Sequence, residues 1–336
     1  MNFKRLILIK KIIKILLLII TFSTIGISQN SQRKLALFEP SDTLHHTRFK
    51  WALGVSATTY TVFSVSLYNT WYKKFDQEPF HFFDDWNEWE NMDKYGHFYT
   101  SYFQGVLCYK GARWTGLSEN KSIVTGLICG ALFQTTIEVM DGFSSKWGWS
   151  WSDFALNNGG LGAFYVQQKY WGEQRITFKV SSLPYSHSND LISSVSGTST
   201  TTLNERADEL FGSTWAERYL KDYNAQIYWA SINISSFTGP DTKIPKWLNL
   251  AIGYGANNMY GGFENEWELD GESFVLDNSY DRYKQFYLGF DVDLTRIKVK
   301  NHFLKSLFST LNIFKAPLPA IEINTKGEFT FHLFAR

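Results

Sequence analysis

Between Trp51 and Trp171 the apolar positions recur with a helical period, and after Gly172 they alternate. In the first half, Trp51–Trp71 is apolar but threaded with Ser and Thr. Asp93–Tyr109, Lys121–Val139 and Ser152–Tyr170 follow, separated by loops rich in Gly, Trp and Ser. Each predicts about four or five helical turns. Ser118 is placed to cap the third, and Ser152 or Asp153 the fourth. Thr, Gln, Glu or Asn interrupts every one, so none reads as a membrane helix, and a four-helix bundle is the simplest arrangement.

In the second half, Ile176, Phe178 and Val180 alternate with Arg175, Thr177 and Lys179. Residues 186–202 read as a polar Ser/Thr-rich linker, and Leu203–Tyr223 as one or two short helices. In QFYLGFDVDL, Phe286, Leu288, Phe290, Val292 and Leu294 share one face, against Tyr287, Gly289, Asp291 and Asp293. In WLNLAIGYGAN, Leu248, Leu250, Ile252 and Tyr254 oppose Asn249, Ala251, Gly253 and Gly255. Ala320–Asn324 and Glu328–Phe334 predict a hairpin across Thr325-Lys326-Gly327. One apolar face fits either a sheet packed on the helices or a barrel with lipid outside and a polar lumen. The strands number about six or seven, fewer than the ~8 of the smallest bacterial barrels. The class expected is therefore α+β, a four-helix bundle followed by an antiparallel sheet, with a small or incomplete outer-membrane barrel as its variant. The organisation expected is a leader at 1–28, a helical domain at 45–172 and a mainly β region at 173–336.

The leader rests on the first residues, MNFKRLILIKKIIKILLLIITFSTIGISQN. Lys4, Arg5, Lys10, Lys11 and Lys14 precede an apolar run from Ile15 to about Ile27, and Gly26 and Ser28 suit a cut before Gln29. That is a secretory signal peptide in form; the alternative is an uncleaved anchor. No Cys follows the run, so no lipid-anchored start is expected. The formal charge of +1, without a basic block, argues against nucleic acid. Cys108 and Cys129 both lie in apolar segments and read as buried thiols, although an oxidising compartment would permit a bond. Aromatic residues make up 18% of the chain, with 13 Trp, which suits a membrane–water interface.

The chemistry sits inside the apolar helices. Asp93, His97, Thr100 and Gln104 fall on one face of the second helix, at spacings of three and four. Gln134, Glu138 and Asp141 repeat the device on the third, and Asp153, Asn157 and Gly160 on the fourth. Isolated buried charges cost several kcal/mol, so inward-facing stripes must meet one another or a metal. Asp93, His97, Glu138, Asp141 and Asp153 form a candidate divalent-metal set, rich in carboxylate and suited to Mg, Mn, Ca, Fe or Zn. Without metal, His97, Glu138, Asp141 and Asp153 are acid–base candidates, with Glu138 raised by desolvation. Lys94, one residue off the stripe, is expected to pair with a neighbouring acid or to snorkel. Lys94, Gln104, Gln134, Ser144 and Asn157 make up an expected polar network. The plain structural alternative has Asp93 serving the helix dipole, Asp141-Gly142 a helix exit and Asp153 an N-cap. HExxH, GxSxG, a P-loop, an EF-hand loop and paired CxxC are all missing, so no familiar chemistry is specified.

These residues also carry a resemblance. DKYGHF from Asp93, EVMDGFS from Glu138 and SWSDFALNNGG from Ser150 resemble the YfiM-like family, uncharacterised bacterial proteins described as predicted periplasmic or outer-membrane lipoproteins. The likeness covers roughly residues 45–172 and continues more loosely through WLNLAIGYGANNMYGG and APLPAIE. The family pattern falls on Asp93, Lys94, His97, Glu138, Asp141, Gly142, Ser144, Asp153 and Asn157. The chain departs from it in lacking the lipobox Cys. Its DKxxH is also similar to that of VanZ-like membrane proteins, over too short a stretch to carry a function. The resemblance implies an exported location, in the periplasm or outer membrane of a Gram-negative-type bacterium, and no established activity. The function expected is thus a structural or binding module at the outer membrane, partnered by that membrane or other envelope components. A metal-assisted or acid–base hydrolase of an envelope lipid or glycan is the alternative.

Overall fold

The computed structural model describes residues 35–182, 186–239 and 241–335, and the leader expected at 1–28 lies outside them. The elements below all belong to one unit, Phe38–Arg336. Four long helices come first: α1 (His46–Leu67), α2 (Met92–Trp114), α3 (Glu119–Gly142) and α4 (Trp151–Trp171). Strand β1 (Ile176–Ser182) opens the β half. A ribbon of β2 (Leu191–Ser193) and β3 (Thr200–Thr202) follows, then the short helices α5 (Leu203–Phe211) and α6 (Trp215–Lys221). Next come β4 (Gln226–Asn233), β5 (Leu248–Asn257), the ribbon β6 (Glu266–Leu269) and β7 (Glu272–Val275), and β8 (Tyr283–Val292). Helix α7 (His302–Leu311) and the hairpin β9 (Ala320–Asn324) and β10 (Phe329–His332) end the chain.

The α+β class holds, but three helices rather than four share a core. Helices α2, α3 and α4 pack closely on one another because glycines stand at their crossings. A Cβ on Gly126 would lie 2.5 Å from the Gly105 carbonyl oxygen, and one on Gly160 would lie 2.2 Å from that of Phe98. Helix α1 touches α3 through Tyr60 and Phe63, which meet Phe133 edge-on, and is otherwise mostly exposed. Its Ser/Thr-threaded sequence offers no single apolar stripe to bury. Ser150, not Ser152 or Asp153, is the N-cap of α4, its hydroxyl accepting from the Asp153 amide. That frees the Asp153 carboxylate to face the helix interior. Ser118 holds the cap position of α3 without a side-chain bond.

The main sheet is open and antiparallel, in the order β1-β4-β5-β8-β9-β10. Its register puts Tyr228, Tyr254, Phe286 and Ile323 in one row across four strands. Helix α2 covers the first two, with Tyr99 on Tyr228 and Tyr95 stacked on Tyr254. Phe286 and Ile323 lie beyond it, 50% and 53% exposed, and Leu288, Phe290, Phe329 and Phe331 on the same face are as bare. The opposite face is buried and carries polar groups beside an apolar cluster of Trp229, Ala251, Tyr287 and Ala320. Lys179, Ser231, Asn249 and Asp291 have no exposure. Lys179 Nζ of β1 reaches Asp291 Oδ2 of β8 at 2.7 Å, although these strands would stand about 14 Å apart in a flat sheet. The sheet is therefore tightly curled around a polar lining, without closing. Residues 313–315 bridge to the edge of β1, and Asn312 accepts from Lys179 at 3.0 Å.

Two further expectations change. Residues 186–202, read as a linker, carry the β2–β3 ribbon, in which Leu191 pairs with Thr202. Helix α3 is long and apolar enough to cross a membrane by length and composition, and only 28% of its most apolar window is buried. Val124, Ile128, Leu132 and Val139 form an exposed stripe along it. Cys108 and Cys129 are free thiols and half-buried.

Candidate functional site

The polar stripes of the three helices meet at the start of α2, the end of α3 and the start of α4. Lys94, expected to pair with a neighbouring acid or to snorkel, does the first, 3% exposed and at the centre. Its ammonium lies 2.6 Å from Asp153 Oδ1, 2.8 Å from Asp85 Oδ2 and 3.2 Å from Asp93 Oδ2. Being one residue off the Asp93 stripe turns it toward α4, so it does not snorkel. His97 Nε2 approaches two of these acids, 3.7 Å from the same Asp93 Oδ2 and 3.8 Å from the other oxygen of Asp153, Oδ2. One ligand atom from each of Asp93, His97 and Asp153 falls within 4.8 Å of the others, the convergence a small cation needs.

The far side of the imidazole is fixed separately. His97 Nδ1 is 3.2 Å from Asn157 Oδ1 and 3.4 Å from Glu138 Oε1, while Asn157 Nδ2 donates to Glu138 Oε1 at 2.9 Å. The hydrogen-bond pattern assigns the proton to Nδ1, which turns the Nε2 lone pair of a neutral ring toward Asp93 and Asp153. Histidine ligands are commonly held this way, by an acceptor behind the ring. Glu138 thus stands behind His97 and outside the converging set. Its Oε2 is buried without a hydrogen-bond partner. Asp141 is also set apart, accepting at 2.7 Å from the Tyr72 hydroxyl. The five-residue metal set read from the spacing divides into three residues in front of the ring, one behind it and one aside.

The front of the ring opens into a cavity of about 190 Å³, lined by Asp85, Glu88, Asp93, His97, Asp141 and Asp153 with Trp71, Trp89 and Tyr223 among its aromatic walls. Through it the Asp93 and His97 side chains keep 21% and 15% exposure, against 1% for Glu138. Three participants had no legible signal in the spacing. Asp85 and Glu88 come from the loop before α2, where Asp85 accepts from the Ser150 and Ser152 hydroxyls at 2.6 and 2.7 Å. Tyr223 arrives from the β half and donates to Asp93 Oδ1 at 2.7 Å. Of the expected network, Gln134 donates to Gln104 and Thr100 further along α2. Ser144 lies elsewhere, its hydroxyl accepting from the Lys146 amide.

Six carboxylates (Asp85, Glu88, Asp93, Glu138, Asp141 and Asp153) thus crowd Lys94 and His97. The titrations record this excess. Burial alone would lower His97, but Asp93, Asp153 and Glu138 hold it up to about 9. Burial, aided by neighbouring acids, pushes Glu88, Glu138 and Asp141 up to about 7. Asp85 feels burial too, but hydrogen bonds from Asp153, Lys94 and Ser150 take it down to about 2. Asp93 and Asp153 move apart: burial and the Asp93 charge raise Asp153, while His97 and Lys94 overcome burial to lower Asp93. Such a split is what two close carboxylates sharing one proton produce.

Residues 81–169 match the model of a family described as "Predicted periplasmic lipoprotein (DUF2279)". The resemblance seen in the three motifs holds over this stretch, which supports an exported, periplasmic or envelope location. The stretch contains Asp85, Glu88, Lys94, the front set and Asn157, whereas Tyr72 and Tyr223 fall outside it. No curated protein and no solved structure matches the chain.

Proposed function

We propose that this envelope protein is a binding module seated against the outer membrane, and that the ligand of its buried centre is a divalent cation held by Asp93, His97 and Asp153. The observation that carries the reading is the convergence of those three ligand atoms on the open side of a ring whose other nitrogen is already tied to Asn157. The carboxylate excess supports it, because a dication offsets charge that Lys94 and His97 leave uncompensated. Seating against the membrane draws support from the apolar outer rows of the sheet and of α3. The four-helix bundle belongs to the same proposal only loosely, with α1 as a peripheral fourth member on α3.

Hydrolysis is a second reading, favoured by the placement of Glu88 and Asp141. Both line the cavity and both titrate near neutrality, the range a general base or acid requires. A bound dication would supply Lewis-acid polarisation of an ester or phosphate. Asp141 would then take or return the proton, with Tyr72 orienting its carboxylate, and Glu138 would position His97 without touching the substrate.

The test is a chelator-stripped full-length chain titrated with Mn²⁺ and Zn²⁺, followed by elemental analysis and thermal melting. One ion per chain is expected, lost in Asp93→Asn and His97→Ala and kept in Asp141→Asn. If neither ion binds and the front-set variants only lose stability, the cluster is an internal lock and the reading fails.

A further inference from the structure

A second and larger cavity, of about 730 Å³, lies between the outer half of α2, the end of α4, β1 and α7. It shares no lining residue with the Asp93–His97 cavity. Its volume is in the range of small-molecule ligand pockets. The walls are mostly apolar, with Phe103, Val106, Phe178 and Phe308 facing it. Its charged lining has the opposite sign to the first site. Arg296 is already neutralised, its guanidinium 3.1 Å from both Glu173 Oε2 and Asp293 Oδ2. Lys110, Lys298 and Lys305 remain, and among the described residues none of the three has a carboxylate within ion-pair distance. The Lys110 ammonium donates to the Ser309 hydroxyl at 2.6 Å, and desolvation lowers its pKa against the attraction of Asp293. Three unpaired cations beside an apolar wall complement one kind of molecule: a negative head on a hydrocarbon chain.

We propose that this groove binds a single anionic phospholipid, with its acyl chain along Phe103, Val106, Phe178 and Phe308 and its phosphate among Lys110, Lys298 and Lys305. Helix α7 gives such a lipid a way in. Leu304 is partly buried and Phe308 lines the groove, while Phe303, Leu307 and Leu311 on the outer side are exposed. Lys298, Lys300 and Lys305 flank that apolar row, as in helices that lie in the surface of an acidic bilayer. Each lysine that the phosphate meets adds a charge-assisted contact. This assignment stands independently of the cation centre.

The test uses the full-length chain in a non-ionic detergent, with oleoyl-lysophosphatidylglycerol, oleoyl-lysophosphatidylcholine and glycerol 3-phosphate as probes, followed by native mass spectrometry. One lysophosphatidylglycerol per chain is expected, binding about tenfold or more tighter than the choline lipid. Glycerol 3-phosphate should not saturate. Lys110→Glu with Lys298→Glu should remove the preference between the two lipids, and Val106→Trp should block both. Unaltered melting of the lysine variant shows that the fold is retained; if the pair unfolds, the exposed Lys298→Glu alone carries the comparison. Equal binding of the two lipids by the unmodified chain would overturn the proposal. So would glycerol 3-phosphate binding as tightly as the lipid, a preference that survives the lysine changes, or no lipid bound at all.

Discussion

At the residue scale, the cluster sets charge against burial, and pH should reveal the balance. Glu88, Glu138 and Asp141 have folded-state pKa values near 7, above their ordinary carboxylate values. The folded state therefore holds their protons more tightly, and stability falls as pH rises from about 4.5 through 7. His97 acts in the same direction: raised to about 9, it stabilises fully below about 6.5 and loses that contribution as pH climbs through 9. A chelator-stripped sample should melt at a distinctly higher temperature at pH 5.5 than at pH 8.5. A dication should restore more stability at pH 8.5, because ligation needs carboxylates ionised and the imidazole neutral. Melting curves at the two values, with and without Mn²⁺, decide it; a flat apo profile would contradict the burial of these acids. Lys94→Met should cost about 3–5 kcal/mol by chemical denaturation, since it leaves Asp85, Asp93 and Asp153 buried without their cation. Much of this site was legible, because spacings of three and four put Asp93 with His97, and Asp153 with Asn157, on single helix faces. Lys94, read as an acid's partner or a snorkelling cation, is the former, because its one-residue offset turns it inward between two neighbouring helices. Asp85 and Tyr223 left no trace, since a loop and a remote single helical turn have no period to read.

At the scale of elements, the site depends on how closely three helices approach. The carbonyl oxygens of Gly105 and Phe98 occupy the space that side chains at Gly126 and Gly160 would need. Gly160→Ala should therefore force α2 and α4 apart and cost about 1–3 kcal/mol. Because Asp153 sits two turns before Gly160 on α4, the same change should weaken cation binding severalfold without altering any ligand. Calorimetric titration beside an unfolding curve separates the two effects, and unchanged stability in that variant would show that the crossing is looser than described. The helices themselves were readable from the apolar period to within a few residues at most ends. Their closeness was not, because a glycine in a sequence does not say which backbone will lie against it. The marginal place of α1 was hidden for a related reason: its length resembles that of its neighbours, and only the missing apolar stripe distinguishes it. Where alternation was read the strand faces were legible, since it assigns Leu288 and Phe290 opposite Tyr287 and Asp291 whatever the tertiary fold, but the β2–β3 ribbon was hidden in a Ser/Thr-rich stretch.

At the scale of the molecule, polarity is inverted along much of the sheet. Lys179, Asp291, Ser231 and Asn249 line the inner face, while Leu288 and Phe290 of β8 look outward at 50% and 49% exposure. A water-facing sheet would place these rows the other way round. The sequence presented both arrangements equally, because alternation shows that one face is apolar and not which side it turns to. The structure combines features of both: the sheet is open and α2 packs on Tyr228 and Tyr254 of its apolar face, while the Lys179–Asp291 pair closes across the interior and leaves the rows beyond α2 outside. On the membrane-seated reading proposed above, lipid or detergent would cover them. The extracted protein should accompany the detergent-rich phase and bind vesicles, and salt should not release it. Replacing Leu288 and Phe290 together by Asp should weaken vesicle binding tenfold or more. The two half-exposed side chains contribute roughly 1 kcal/mol each on burial, and charge at an apolar contact adds to the loss. Neither residue touches the polar lining, so circular dichroism and cation binding should stay as they were. Recovery of the unmodified protein in a detergent-free salt wash would mean that something other than a bilayer covers these rows.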